Sequence, residues 1–239
     1  MATKIQFISE LSSATYKKLP DYKNWTAFLR SAAWQYKYPF ADQLMIYAQR
    51  PDATACANIS VWNNKLHRWV NKGAKGIALP HRSGNRTYLD YVFDISDTNS
   101  FYGNDVTLWQ YQTKHADAII ETLENTFGEL ENKTGIIGAV FSAAHNAVED
   151  SKADYISEIK YARKDSFLEE LDSINIDVEF QKTAENSVAY MILERMGIDV
   201  ADYLNFDDFL YIMDFNTPAT LTLLGNAVSS ISEQALREI

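Results

Sequence analysis

The apolar positions before residue 50 follow the period of an α-helix. Between Asp21 and Tyr36, apolar and aromatic residues recur at intervals of three and four, which places them on one helical face. A second helical pattern extends from Phe40 to Gln49, and Pro39 separates the two because proline cannot continue a helix. The sequence therefore predicts two consecutive helices joined by a short hinge.

After the second helix the pattern changes to short extended segments. Runs of β-branched and aromatic residues bounded by Gly, Asn or Pro predict strands. The predicted strands are Ser60–Trp62, Arg68–Val70, Gly76–Leu79 and Tyr88–Phe93. Residues Ser83–Asn85 predict the turn of a hairpin between the last two strands. These signals indicate a small antiparallel sheet beside the two helices.

A polar segment from Asn99 to Asn104 separates this sheet from a largely helical remainder. We therefore predict an α+β fold with a first domain over residues 1–98 and a second domain over residues 105–239. Within the second domain, a short extended piece is expected at Ile174–Phe180. The helices predicted there are Lys114–Phe127, Ile136–Val148, Asp165–Leu171, Ala184–Met196, Phe206–Phe215 and Pro218–Glu238.

The charge of the chain is distributed unevenly. The formal net charge of −10 argues by itself against binding to nucleic acid. Residues 1–90, however, hold 13 basic and five acidic residues, whereas residues 91–239 hold nine basic and 27 acidic ones. Because a basic surface attracts polyanions and an acidic surface repels them, we expect the two segments to have different partners.

Composition also limits where the protein works. The N-terminal sequence lacks the apolar core of a secretion signal, and the longest nearly uncharged apolar stretch, residues 135–144, is too short to cross a bilayer. The single cysteine, Cys56, forms no internal disulfide and no cysteine-rich metal site. We therefore expect a cytoplasmic protein with no membrane partner and no cofactor.

The strongest local signal is the segment from Lys72 to Gly76, which leads into a predicted strand. Its glycines allow the backbone to approach a ligand closely, and Lys72 and Lys75 are placed to bind phosphate oxygens. The spacing is not that of a Walker A loop. The alternative interpretation is a tight turn whose lysines only add solubility.

Further basic and aromatic residues surround this segment. Basic side chains bind the backbone of a nucleic acid and aromatic rings stack on unpaired bases, a combination that suits single strands without sequence preference. We expect Trp62 to stack on a base, whereas Trp25, Trp34 and Trp69 are expected in the core. The predicted DNA-binding residues are Arg50, Trp62, Lys65, Arg68, Lys72, Lys75, Arg82 and Arg86.

Residues typical of catalysis are sparse, and neither a nucleophile motif nor H-E-x-x-H is present. The histidines are scattered singly, at His67, His81, His115 and His145. The candidates for a metal site are His145 and Glu149, four residues apart on one helical face, and Glu185 on a later helix. Because zinc needs at least three convergent ligands, we predict a protein with no enzymatic activity and no bound metal.

The run from Tyr38 to Ala57, followed by Trp62, Arg68–Val70 and Lys72–Ile77, resembles the N-terminal domain of the ArdC antirestriction family. The resemblance covers residues 20–97, including the segment Tyr91–Asp97. The segment is similar in particular to the domain that begins large helicase/methylase proteins of conjugative elements in Gram-positive bacteria. Those proteins are related to the LtrC-like group. The resemblance implies a domain that binds single-stranded DNA and protects incoming DNA during conjugation.

ArdC-type proteins continue into a zinc metallopeptidase-like domain, and one segment in the second half of this chain resembles part of that domain. The segment Thr183–Tyr190 is similar to the helix after the family's H-E-x-x-H, where a glutamate completes the metal site, and Glu185 occupies that position. Because H-E-x-x-H itself is missing, the resemblance implies a zincin-like domain that has lost its chemistry.

Three functional hypotheses follow. The first is a non-catalytic module of a mobile element that binds single-stranded DNA, attached or not to the other domains of a helicase/methylase protein. The second is a protein inhibitor whose acidic helical half imitates DNA and occupies a restriction or other defence nuclease. The third is a residual metallohydrolase.

Overall fold

The computed structural model of the chain describes residues 3–100, 103 and 105–239. Most of these residues are helical, and a small antiparallel sheet accompanies the helices, which confirms the α+β class. The α-helices are α1 (Lys4–Lys18), α2 (Tyr22–Trp34), α3 (Phe40–Gln49), α4 (Ala116–Phe127), α5 (Ile136–Ala162), α6 (Ser173–Met196) and α7 (Pro218–Glu238). The strands are β1 (Cys56–Asn58), β2 (Arg68–Val70), β3 (Ile77–Ser83), β4 (Arg86–Asp94) and β5 (Thr98–Ser100).

The sheet is built around a hairpin. Strands β3 and β4 pair antiparallel from Ile77 opposite Val92 to Ser83 opposite Arg86, and β1 adds to the other edge of β4. Gly84 has a φ of +57°, which the first position of a two-residue hairpin turn requires. The predicted hairpin is therefore confirmed, whereas β2 pairs with β5 in a separate two-stranded ladder.

Two predictions of extended structure are wrong. The predicted strand Ser60–Trp62 is helical instead: Ser60 precedes a π-helical turn, Val61–Lys65, and the Val61 N–H donates to the side chain of Asn58. The predicted extended piece Ile174–Phe180 is the start of α6, where the Asp172 side chain accepts hydrogen bonds from two backbone N–H groups. Apolar residues alternate with polar ones in that segment, which is the pattern of a strand. The N-cap Asp172 nevertheless stabilises the first turn of a helix there.

Several boundaries also differ from the predictions. Helix α5 continues to Ala162, and a helix that was not predicted, α1, precedes α2. Short 3₁₀ segments, Phe167–Glu170 and Phe206–Asp214, replace two predicted α-helices. In the second of these segments, Phe209 leaves helical geometry and produces a kink.

One hydrophobic core joins the helices before and after the sheet. Trp25 and Phe28 of α2 are buried in the same cluster as Val188 of α6 and Leu224 of α7. The Trp25 indole N–H donates to Ser187 Oγ at 2.9 Å. The predicted boundary at residues 98–105 therefore does not coincide with a break in the core, and the division into two domains stays a prediction.

A second, smaller cluster attaches the sheet to the helices. It contains Met45 and Ile46 of α3 together with Ile77 and Leu79 of β3. The Gln49 side chain adds a polar link, because its amide donates to the Ala78 carbonyl and accepts from the Ala78 N–H, both at 2.9 Å. The Gln49 side chain therefore satisfies backbone groups on the free edge of β3 and links the hairpin to α3.

Candidate nucleic-acid interface

Five of the predicted DNA-binding residues are exposed cations. They are Lys65, Lys72, Lys75, Arg82 and Arg86. None of them forms an ion pair within 4.0 Å in the part of the chain that the structure describes. We call these cations, together with the exposed tyrosines Tyr88 and Tyr91, the hairpin surface.

The loop that carries Lys72 and Lys75 is held by its backbone. The Ala74 N–H donates to the Asn71 carbonyl, and the Asn71 N–H donates to Asp97. Gly73 has a φ of +90°, a conformation that glycine adopts without strain. At Gly76, an added Cβ would lie 3.0 Å from the Phe93 ring, so the loop packs closely against β4. Both lysines consequently point away from the core into solvent.

The hairpin places the second pair of cations, Arg82 and Arg86, at the other end of β3. This strand is seven residues long, so it spans roughly 20 Å. Tyr88 and Tyr91 lie on β4 between the two ends and are 44% and 37% exposed. Successive strand residues point to opposite faces and paired residues share a face, so Arg86 and Tyr88 lie on one face of the hairpin and Arg82 and Tyr91 on the other. Each face therefore combines one cation near the tip with one exposed ring, a combination that suits an anion with unpaired bases.

Arg50 does not belong to this surface. Its guanidinium donates to Asp97 at 2.6 Å and to Ser96 Oγ at 2.7 Å. Hydrogen bonding to Asp97 raises the pKa of Arg50 above its ordinary value, although burial opposes the shift. This side chain joins the end of α3 to the turn after β4, and binding of DNA by Arg50 stays a prediction.

Arg68 is also occupied inside the protein. It donates to the hydroxyl and the carbonyl of Thr98 at 2.7 and 2.9 Å, and its side chain is only 11% exposed. A weaker contact of 3.8 Å joins it to Asp105. Arg68 holds β2 against β5, and binding of phosphate by Arg68 stays a prediction.

Trp62 is buried rather than exposed. It is 1% exposed, and its indole N–H donates to the Phe93 carbonyl at 2.8 Å. Its ring has no free face on which a base could stack, so the predicted stacking role is wrong. The exposed aromatic residues near the cations are Tyr88, one of the aromatic residues interleaved with the basic ones in the sequence, and Tyr91, for which no role was predicted.

His81 forms a polar cluster that the sequence analysis did not identify. Its Nε2 lies 3.1 Å from Asp42 Oδ1, and its Nδ1 lies 2.9 Å from Asp90 Oδ2. Burial lowers the pKa of His81, but the two carboxylates outweigh that effect and raise it above its ordinary value. Because both ring nitrogens are engaged, His81 joins α3 to the hairpin rather than acting as a free base.

The three metal candidates do not converge. His145 Nδ1 lies 2.8 Å from Glu185 Oε1, and Gln181 donates to the same oxygen. Glu149 instead accepts from Lys152 at 2.7 Å. Within residues 3–100, 103 and 105–239, no group of three or more His, Cys, Asp or Glu side chains is arranged to hold a metal ion.

Comparison of the chain with protein-family models, with curated proteins and with solved structures finds no match. The resemblance to the ArdC family therefore stays a prediction. Among the described residues, none of the helices has both the length and the apolar character needed to cross a bilayer. The hairpin surface thus provides the main structural argument about function.

Proposed function

We propose that the chain is a non-catalytic module that binds single-stranded DNA through the hairpin surface. Together with the resemblance to the ArdC family, this proposal extends to the handling or protection of DNA transferred by a conjugative element. The module acts alone or beside the other domains of a larger helicase/methylase protein.

The observation that carries this proposal is the set of exposed cations without carboxylate partners. An exposed cation that is already paired gains little from a phosphate, whereas an unpaired one neutralises phosphate and releases a counterion. Lys72 and Lys75 bind the backbone at one end of the hairpin, and Arg82 and Arg86 bind it at the other. Tyr88 shares a face with Arg86 and stacks on an unpaired base there, and Tyr91 offers a second ring on the opposite face with Arg82. Duplex DNA has no unpaired base to offer, so single strands are preferred.

The test is fluorescence anisotropy with labelled single-stranded and double-stranded oligonucleotides across a salt series. The variant is Lys72→Glu/Lys75→Glu, and the matched control is Lys160→Glu/Lys164→Glu, which makes the same charge change at exposed positions of the helical half. We expect the first variant to lose at least about tenfold in affinity and its salt slope to fall by about 0.7 for each lysine. Equal losses in both variants would show that net charge alone controls binding and would overturn the proposed site.

A second candidate function has one specific observation in its favour. Asp150, Asp154 and Glu158 are exposed at four-residue intervals on α5, so three carboxylates line one helical face. Such a row imitates the spaced charges of a DNA strand, as the inhibitor hypothesis requires. It predicts that the chain slows cleavage by a restriction nuclease, and that Asp150→Asn/Asp154→Asn/Glu158→Gln abolishes this inhibition. Inhibition that instead disappears in Lys72→Glu/Lys75→Glu would favour DNA binding.

A further inference from the structure

A cleft separate from the hairpin surface surrounds Arg195, near the end of α6. Its volume is about 310 Å³, and it lies between the end of α2, the segment 54–56 and the segment 107–109. Trp34, Tyr36 and Trp109 provide aromatic walls, and Lys37 lies at the side. We call this space the Arg195 cleft.

Arg195 is buried without an acidic partner. The residue is 9% exposed, its guanidinium donates to the Trp109 carbonyl at 2.9 Å, and the chain that the structure describes provides no ion pair for it. The guanidinium carbon lies 4.8 Å from the centre of the Trp34 ring and 5.2 Å from that of Trp109. The residues outside the described ranges include no Asp or Glu; they are Met1, Ala2, Phe101, Tyr102 and Asn104.

This environment is costly for a cation. A buried charge without a counterion loses much of its hydration energy, which two aromatic faces and one carbonyl restore only in part. Accordingly, burial lowers the pKa of Arg195 below its ordinary value. Arg50 and Arg68, by comparison, each lie near a carboxylate, Asp97 and Asp105 respectively. An anion bound in the Arg195 cleft would supply the counterion that Arg195 does not find among the described residues.

The walls of the cleft restrict the kind of anion. The Arg195 guanidinium already lies over one face of Trp34 and one face of Trp109, so a planar base stacks on the opposite face of an indole or on the free face of Tyr36. The Lys37 ammonium lies 5.4 Å from the Tyr36 ring centre and adds a second positive charge. The volume is at the lower end of ordinary ligand pockets, roughly 300–1,000 Å³, which suits one nucleotide better than a longer ligand.

We propose that the Arg195 cleft binds a nucleoside monophosphate, with its phosphate on the Arg195 guanidinium and its base against the aromatic walls. A guanidinium can bind phosphate through two parallel hydrogen bonds, a geometry that an ammonium group does not provide. Two ligands present this combination of a terminal phosphate and a base: a free nucleotide and the phosphorylated end of a DNA strand. This site does not depend on the hairpin surface, since neither Lys72 nor Arg82 lines it.

The test is calorimetric titration of the full chain with deoxyadenosine monophosphate, with deoxyadenosine and with inorganic phosphate. The variant Arg195→Met removes the charge and keeps the apolar stem, and the control Arg30→Met removes a nearby exposed arginine outside the cleft. We expect the nucleotide to bind at least about tenfold more tightly than either fragment, because hydrogen bonds to charged groups contribute about 1.5–3 kcal/mol. Arg195→Met is expected to lose at least that factor, and Arg30→Met less than about twofold.

A second measurement covers the case in which Arg195→Met fails to fold. In the wild-type protein, the indole N–H resonances of Trp34 and Trp109, assigned with Trp34→Phe and Trp109→Phe, are expected to shift on adding nucleotide, while that of Trp62 stays in place. Absence of these shifts, or binding of deoxyadenosine as tight as that of the nucleotide, would overturn the proposal.

Oligonucleotides with and without a 5′-phosphate distinguish the two sources. If only the phosphorylated oligonucleotide displaces the nucleotide, the cleft binds the end of a strand. If neither oligonucleotide displaces it, the cleft binds free nucleotides. Lys72→Glu/Lys75→Glu is expected to bind nucleotide like the wild type. Failure of DNA binding at the hairpin surface therefore leaves this proposal testable on its own.

Discussion

The cations of the hairpin surface face solvent without carboxylates, whereas several cations of the helical segment lie in ion pairs. Lys133 contacts Glu124 at 2.6 Å, and Lys152 contacts Glu149 at 2.7 Å. Arginines near the sheet show the same contrast over a short distance, because Arg68 is bonded internally while Arg82 is exposed. The difference teaches that the partners of a cation, rather than the number of cations, decide whether a surface can bind a polyanion.

The largest expected effect is on the free energy of unfolding, and it distinguishes a buried aromatic residue from an exposed one. Trp62→Ala removes a fully buried ring and its hydrogen bond to Phe93, so it is expected to lower the free energy of unfolding by about 3–5 kcal/mol. Tyr88→Ala, at a 44% exposed position, is expected to change it by less than about 1 kcal/mol. Urea unfolding of both variants checks the contrast, and equal losses would mean that Tyr88 also supports the fold.

The next effect separates the two classes of arginine. Arg68→Met leaves Thr98 without its donors and is expected to destabilise the protein by about 1–3 kcal/mol. Arg82→Met is expected to leave the unfolding transition unchanged and to weaken binding of single-stranded DNA. A variant Arg82→Met with normal affinity would remove the end of the hairpin from the proposed interface.

A smaller effect concerns the tyrosines between the cations. Tyr88→Ala and Tyr91→Ala are each expected to weaken single-strand binding by about 1–2 kcal/mol, because each removes a surface on which a base stacks. Tyr88→Phe and Tyr91→Phe keep the ring and serve as controls with nearly normal affinity. Anisotropy titrations measure both pairs. A similar loss in the Phe variants would indicate that the hydroxyls, rather than the rings, make the contact.

The smallest expected effect is on the pH dependence of stability, and it concerns the neighbouring carboxyl groups of Glu179 and Asp214 in the acidic half. Burial, together with the nearby charge of Asp214, raises the pKa of Glu179 from 4.5 to about 7. Because the folded state holds this proton more tightly than the unfolded state, the contribution of Glu179 to stability is fully present below about pH 4.5 and is lost as the pH rises through about 7. Glu179→Gln is expected to reduce this fall by on the order of 1 kcal/mol between pH 5 and pH 8. Thermal unfolding across that range shows the difference, and identical profiles would contradict the assignment.

Local patterns were sufficient for the elements whose residues repeat with a clear period. Helices α2 and α3 agree with the predictions because apolar residues recur every three or four positions and Pro39 interrupts them. The hairpin agrees because Gly84 supplies the positive φ that its turn requires. The π-helical turn at Val61–Lys65 was missed, because its burial of Trp62 depends on contacts with β4 that have no local signature.

The sequence by itself determined the α+β class, the separation of basic and acidic segments and the exposed lysine loop, since these follow from composition and short-range order. Only the tertiary structure decided which cations are available. Arg50 meets Asp97, and Arg195 meets Trp34 and Trp109, across long stretches of chain. The physical reason is that packing brings together residues that lie far apart in the sequence, and no local pattern contains that information.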